Sequence, residues 1–330
     1  MQKEILGKTG LEVTKLSLGG CFLSNIGGAF EQTKTAALYA LEQGVNYIDT
    51  APAPSYGDSE EVLGNILKEW TGKKPVLSTK VGTPPPFNPK SKKDIIESVE
   101  KSMEKLHTDC FDIVYIHEPD RKGEHDWWDN ELTCEGPVIE ALDDLKKRGV
   151  IKYTGVGGTT AHELAVICDT GKFDVVLTAF NYSLLWREAQ YEILPVAKKH
   201  NMGVVLGSPL QHGFMAVRHD DEIENGAPWI SEPRRHQFKL LYKLLDETSM
   251  EIVEMALRFV ISNPVVDCVL TGSRSKEEVA ENIKTIEKGP LQKDILEKLD
   301  EIYSLVPFRP SLEQFDLPFG NEKKPIGLFW

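Results

Sequence analysis

The sequence predicts an α/β fold, a (β/α)8 TIM barrel forming one domain over residues 1–330, on three observations. Short β-branched runs alternate with segments of helical spacing, eight such runs occur, and no GxGxxG fingerprint follows the first of them. Repeated βα units build a parallel sheet, and right-handed crossovers set each strand beside the last until eight close on themselves. The rival is an open doubly wound sheet, but Leu18-Gly19-Gly20-Cys21 does not continue into its dinucleotide fingerprint.

In chain order, residues 4–13 place Lys8-Thr9-Gly10 between apolar residues and predict a small β-hairpin suited to plugging the barrel floor. Strands are expected at 15–18, 47–49, 76–79, 113–116, 153–156, 175–178, 203–206 and 268–270. Ile95, Val99, Met103 and Leu106 share one face of a helix at 94–106. Val138, Leu142 and Leu145 do the same at 137–147, with Pro137 suited to the first turn and Gly149 to the end. Residues 1–14 are thus hairpin and 15–290 barrel; 291–330 hold a last helix at 291–305 and a tail with Phe308, Phe315, Phe319 and Trp330 as expected anchors. Stretches 84–89, 118–136 and 209–246 read as irregular loops over the C-terminal ends of the strands, and no internal sequence repeat is evident.

A net charge of −13 argues against nucleic acid or an anionic membrane as partner, because phosphate surfaces demand clustered Lys and Arg. The hydrophobic fraction of 41% is that of an ordinary globular chain. Cys21, Cys110, Cys134, Cys168 and Cys268 form no CxxC or Cys/His cluster, so a reduced, cytoplasmic setting without a bound metal is expected. No secretory apolar segment opens the chain, and no stretch reaches the roughly 18 apolar residues of a membrane span. The expected partner is a small molecule, while oligomeric state is not legible.

Barrel enzymes carry reactive groups where strands end at the C-terminal face. Asp49, Lys80 and His117 end the second, third and fourth expected strands, and Tyr56 follows Asp49 on a turn forced by Pro54 and Gly57. Taken singly, each has a plain structural explanation: a cap, a solvated strand end, a bonded core histidine. Together they supply a carboxylate, an ammonium, an imidazole and a phenol, the groups that move a proton onto or off a carbonyl oxygen. Trp127 and Trp128 in the second loop, and Phe214 and Trp229 in the third, suit either a substrate wall or loop-on-loop packing. A Schiff-base lyase using Lys80 is the rival chemistry, opposed by Asp49, whose carboxylate stabilises the ammonium.

The segments LGKTGLEVTKLSLGG, GVNYIDTAPAPSYGDSEEVLG, STKVG, DIVYIHEPD, LKKRGVIKYTGVGG, FNYSLL and VLTGSRSKEEVAENI resemble, in order, those of the aldo-keto reductase superfamily nearly end to end. The resemblance implies the same barrel, an NAD(P)(H) cofactor, and interconversion of an aldehyde or ketone with its alcohol. It makes Tyr56 the general acid or base, Lys80 the cation lowering a phenol pKa of about 10, Asp49 the counter-ion and His117 the group orienting the carbonyl. The Tyr56 loop and Ile116-His117-Glu118-Pro119-Asp120 resemble the aldose-oxidising, L-galactose dehydrogenase-like branch, which implies a sugar or polyol and a place in carbohydrate metabolism. A slow regulatory or sensor protein like the potassium-channel β subunits is the alternative.

Departures from the family pattern bear on the cofactor. Ala53, Pro54 and Ser55 lengthen the tyrosine turn. The Ser-Asn pair that meets the nicotinamide amide in relatives is Gly157-Gly158 here, leaving Asn181 as the expected replacement. Gly207 stands where many relatives stack an aromatic, while Ser208 and Leu210 match residues that meet the pyrophosphate; Gly20, Cys21 and Phe22 are assigned to the same site. NADP-preferring relatives carry a lysine at the place of Gly272 and an arginine at that of Glu278, so charge opposes a 2′-phosphate here. Arg274 pulls the other way, Ser273 lies between, and Asn282 matches the residue that reads adenine. NAD and NADP both stay open.

Overall fold

Eight parallel strands close on themselves in a computed structural model that describes residues 1–309 except 54, 83–86, 122–125 and 228–229. A hairpin of β1 (Lys3–Ile5) and β2 (Glu12–Thr14) precedes them. The barrel strands are β3 (Leu16–Gly19), β4 (Tyr47–Asp49), β5 (Val76–Val81), β6 (Phe111–His117), β7 (Ile151–Gly158), β8 (Val175–Ala179), β9 (Gly203–Gly207) and β10 (Cys268–Thr271). They pair in sequence order, and β10 returns to β3. All eight expected runs overlap them, because strands buried on both faces read as near-continuous apolar stretches.

The helices are α1 (Phe30–Glu42), α2 (Ser59–Glu69), α3 (Lys92–Leu106), α4 (Pro137–Lys147), α5 (Ala161–Asp169), α6 (Glu188–Tyr191) and α7 (Ile193–Lys199). After them come α8 (Asp220–Asn225), α9 (Glu232–Thr248), α10 (Ile252–Ile261), α11 (Lys276–Glu287) and α12 (Lys293–Ser304). Among the described residues none is long and apolar enough to cross a membrane.

The hairpin closes the barrel floor: Leu6 and Val13 are fully buried with Tyr47, Ile113, Val175, Val205 and Cys268 from the barrel interior. Its two strands are joined through a 3-10 turn at Gly7–Thr9. The stretch 209–246 is not one irregular loop. It contains α8 and most of α9, whose Phe238, Leu241, Tyr242 and Leu245 form a buried face at helical spacing, masked in the sequence by the charges around them. The stretch 118–136 is irregular apart from one bridge, Asn130 to Glu135. In the tail the Phe308 ring is 65% exposed, and it is the backbone carbonyl that is held, by Arg234 at 3.0 Å. Phe315, Phe319, Trp330, Trp229 and Pro54 lie outside the described residues, as do residues 84–86.

A repeat does exist at the floor. Asn46, Asp112, Asp174 and Asp267, at the starts of β4, β6, β8 and β10, each accept a backbone N–H from the preceding strand or its approach: Thr14 at 2.7 Å, Leu77 at 2.9 Å, Thr154 at 3.0 Å and Val204 at 2.8 Å. Its trace is Val45-Asn46-Tyr47-Ile48, Phe111-Asp112-Ile113-Val114, Phe173-Asp174-Val175-Val176 and Val266-Asp267-Cys268-Val269, too short and too widely spaced to stand out in the chain. At the opposite face Glu118, Phe180, Ser208, Gln211 and His212 all have positive φ between 47° and 67°, so backbone strain gathers just past the ends of β6, β8 and β9.

Candidate active site

Strand alternation points Tyr47 and Asp49 of β4, Ser78 and Lys80 of β5, and Tyr115 and His117 of β6 to the same side. Register sets Asp49 beside Ser78, Lys80 beside Tyr115, and His117 beside Gly157. The Lys80 ammonium bonds Asp49 Oδ2 at 2.6 Å and the Thr50 carbonyl at 2.8 Å. Both ions are buried, with side-chain exposures of 2% for Lys80 and 0% for Asp49, so each depends on the other for its charge. The Lys80 nitrogen stands 4.6 Å from the centre of the Tyr56 ring, and the His117 ring meets that of Tyr56 edge-on at 6.4 Å. The four groups expected from strand ends therefore share one pocket. Tyr56 is placed by its loop: Gly57 takes a φ of 56°, and Asp58 accepts the Asn25 N–H at 2.7 Å, tying the loop to the segment after β3.

The electrostatics depart from expectation on one point. Lys80 does not bring the phenol down; burial pushes the Tyr56 hydroxyl well above its usual range, and Asp49, Cys21 and Glu118 push it further. The physical reason is that the ammonium is already spent on Asp49, so the pair acts on the ring as a dipole and not as a free cation. Burial also raises Asp49, against the opposing pull of Lys80 and Ser78. Cys21 beside them is pushed up to about 12 by burial.

The inward face of β7 is kept low to make room for these side chains. A Cβ on Gly155 would meet the Tyr115 ring at 2.4 Å, whereas one on Gly157 would have no neighbour nearer than 3.9 Å, Lys80 Cε among them. Gly158 has a different cause. Its Cβ would fall 2.3 Å from Asp120 Oδ1. Asp120, 3% exposed, accepts the N–H groups of Thr159 (2.8 Å) and Thr160 (2.6 Å) on Oδ2, and so ties the approach to α5 to the loop after β6. The sequence reading missed this role; Pro119-Asp120 right after His117, set against a Gly-Gly at a strand end, was the available signal.

The groups assigned to the cofactor lie just past the ends of β3, β8, β9 and β10. Gly20 lies against Asp49 and Ser59, where a Cβ would be 2.7 Å from the Asp49 carbonyl oxygen, and Cys21 follows it toward Tyr56. At the end of β10, the Phe22 ring covers Gly272, whose Cβ would meet it at 2.2 Å, and the Arg274 guanidinium stacks on that ring at 4.7 Å. Asn282 donates to Ser273 at 3.1 Å, both buried. Glu278 turns back to accept the Arg274 N–H at 2.7 Å at the start of α11. Gly207 rests on Ala179 and Ser208 takes a φ of 51°, with half-buried Leu210 after it. Asn181 is 3% exposed and donates to Thr178 at 3.1 Å. Of the two loop tryptophans, Trp127 reaches Gly82 beside His117, while Trp128 turns away to Phe173.

The donor set fits a dinucleotide: a floor without a side chain at Gly157 for a flat ring, and a cation, a serine and a buried amide at the end of β10. A model of the aldo/keto reductase family matches residues 15–304. The chain is 28% identical to a putative voltage-gated potassium channel subunit beta of Schizosaccharomyces pombe, over 92% of this chain and 93% of that protein. It is 28% identical to a pyridoxal 4-dehydrogenase of Microbacterium luteolum, over 87% and 94%. The holo form of aldo-keto reductase AKR11C1 from Bacillus halodurans superimposes with a TM-score of 0.74 at 25% identity, covering 95% of this chain and 100% of that one. With a family match spanning most of its length and a barrel shared with that structure, the chain belongs to the aldo/keto reductase family, whose members generally carry out NAD(P)-dependent carbonyl reduction.

Proposed function

We propose that the protein reduces an aldehyde or ketone to its alcohol, with Tyr56 as the proton donor. The observation that carries this is the 4.6 Å approach of the buried, Asp49-paired Lys80 to the Tyr56 ring, with His117 edge-on across from it. A nicotinamide cofactor, when bound, supplies hydride. Tyr56 then gives its hydroxyl proton to the carbonyl oxygen, leaving a phenolate beside the Asp49–Lys80 pair. His117 hydrogen-bonds the same oxygen as negative charge develops on it. Burial raises the Tyr56 hydroxyl, so the resting group carries the proton that a donor to the carbonyl oxygen needs.

Arg274, Ser273 and Asn282 would hold the nucleotide half, and Gly157 leaves room for the nicotinamide. Glu278 puts a carboxylate on the Arg274 N–H just ahead of α11, and Phe22 fills the face of Gly272; both support NAD over NADP. For a sugar substrate the rim offers little exposed carboxylate: Glu118 pairs with Arg121 at 3.4 Å, and Asp120 is buried with its Oδ2 held by the Thr159 and Thr160 N–H groups. The channel-subunit relative keeps a sensor reading alive, distinguished from an enzyme by turnover alone.

The test is oxidation of NADH and NADPH over a panel of aldehydes, ketones and aldoses, wild type against Tyr56→Phe. Turnover should fall by roughly 10²- to 10⁴-fold, the usual worth of a positioned acid, with cofactor binding retained. Near-normal rates in the variant would remove Tyr56 from the chemistry.

A further inference from the structure

Beneath the tetrad lies a column of hydroxyls that the proton transfer does not use. Ser78 Oγ donates to Asp49 Oδ1 at 2.6 Å, the Tyr47 hydroxyl is 3.0 Å from Ser78 Oγ, and the Tyr115 hydroxyl is 3.0 Å from that of Tyr47. All three residues are completely buried and come from β5, β4 and β6 in turn. Their bonding has only one consistent direction. A hydroxyl has one proton to give, and Ser78 gives its own to the carboxylate, so Tyr47 must donate to Ser78 and Tyr115 to Tyr47. Three dipoles in series therefore point at Asp49 from below, each strengthening the next, while Lys80 meets its other oxygen at 2.6 Å from β5.

Packing does not call for these groups. Alanine at 78 and phenylalanine at 47 and 115 would fill nearly the same space in a barrel centre otherwise lined by Ile113, Val175, Leu177, Val205 and Leu270, without the cost of burying hydroxyls. We propose that Ser78, Tyr47 and Tyr115 are positioning residues, a one-way hydroxyl relay that holds the Asp49–Lys80 pair charged and aimed under Tyr56. The inference rests on the reading of Tyr56 given above. Asp49 is faced by Lys80 and Ser78 from β5, Tyr47 from its own strand, Tyr115 from β6, Cys268 from β10, and Tyr56 and Cys21 from the rim; of these only Lys80 carries a positive charge. Burial pushes the Asp49 carboxyl up, and Ser78, the last member of the relay, works with Lys80 against that push.

Ser78→Ala, Tyr47→Phe and Tyr115→Phe are to be made singly in the full chain, with carboxyl-13C aspartate as the probe and the Asp49 signal identified by its loss in Asp49→Asn. The midpoint of the Asp49 titration should rise by about one pH unit, tenfold in proton affinity, in Ser78→Ala. The rise should be smaller in Tyr47→Phe and smallest in Tyr115→Phe, in the order of distance along the relay. The acid limb of kcat for 4-nitrobenzaldehyde with NADH or NADPH should move with it, while the melting temperature at pH 7 stays close to wild type for Tyr115→Phe, the end of the relay that leaves no donor without an acceptor. A midpoint unchanged in both Ser78→Ala and Tyr47→Phe overturns the relay whatever happens to activity. If wild type shows no turnover while the midpoint still moves, the reductase reading fails and the relay stands.

Discussion

At the scale of single residues, Asp120 and Gly158 form a coupled pair. The carboxylate holds the two N–H groups just ahead of α5, and the glycine is the only residue that leaves it room, since a Cβ there would sit 2.3 Å from Asp120 Oδ1. Gly158→Ala should therefore cost about 1–3 kcal/mol in urea unfolding, the range for overpacking a filled site. In an Asp120→Ala background, which itself loses hydrogen bonds worth about 1 kcal/mol, the same change should cost almost nothing. Costs that simply add would mean the two do not meet. This pair also shows which residues a sequence discloses. Asp49, Lys80, Tyr56 and His117 were legible because strand ends of a barrel are singled out by position. Ser78, Tyr47 and Tyr115 were not, because a hydroxyl inside a strand run looks like core until its partners on two other strands are known. The raised Tyr56 hydroxyl was likewise hidden, since it depends on burial and on Lys80 already being engaged by Asp49.

At the scale of elements, the eight strands were readable from their apolar runs, whereas α9 was not, its buried face being diluted by Arg234, Arg235, Lys239 and Lys243. Some of that polarity is structural. Arg234 holds the carbonyls of Leu185 and Phe308, each at 3.0 Å, and Gln237 donates to those of Ile302 and Tyr303 at the end of α12. The second clamp on α12 is Arg187, 1% exposed. It bonds Asp300 at 2.6 Å and the carbonyls of Leu184 and Leu299 at 3.0 Å, and its guanidinium lies over the rings of Phe259 and Tyr303. Arg187→Met keeps the stem and loses the fork. Asp300 is 68% exposed and returns to water, so the loss should be about 2–4 kcal/mol of carbonyl bonding and ring stacking, felt locally. Hydrogen exchange should show α12 amides opening by orders of magnitude more while those of β5 to β7 are unchanged; equal effects on both would show that α12 is not a separately held unit.

For the whole molecule, the organising device is the set of four Asx caps at the floor, which ties the strands two by two: β4 to the approach of β3, β6 to β5, β8 to β7 and β10 to β9. Each satisfies a backbone N–H that the barrel register leaves over at its lower rim, and together they close that rim beneath the catalytic face. Burial raises the Asp267 carboxyl to about 6, although the Val204 and Gly7 N–H groups and Lys15 pull it down. A carboxyl with a folded pKa above its unfolded value favours the neutral form in the fold. Its contribution is complete below about pH 4 and is lost as pH rises to about 6, at most roughly 1–3 kcal/mol for a shift of this size. Asp267→Asn gives up one acceptor at every pH but cannot ionise. The variant should melt below wild type at pH 4, the gap should narrow or reverse by a few degrees between pH 4 and pH 6, and it should hold steady above that. Melting curves of both proteins at half-unit steps read this directly, and a gap of constant size from pH 4 to pH 7 would show that the floor of the barrel holds Asp267 as an ordinary carboxylate.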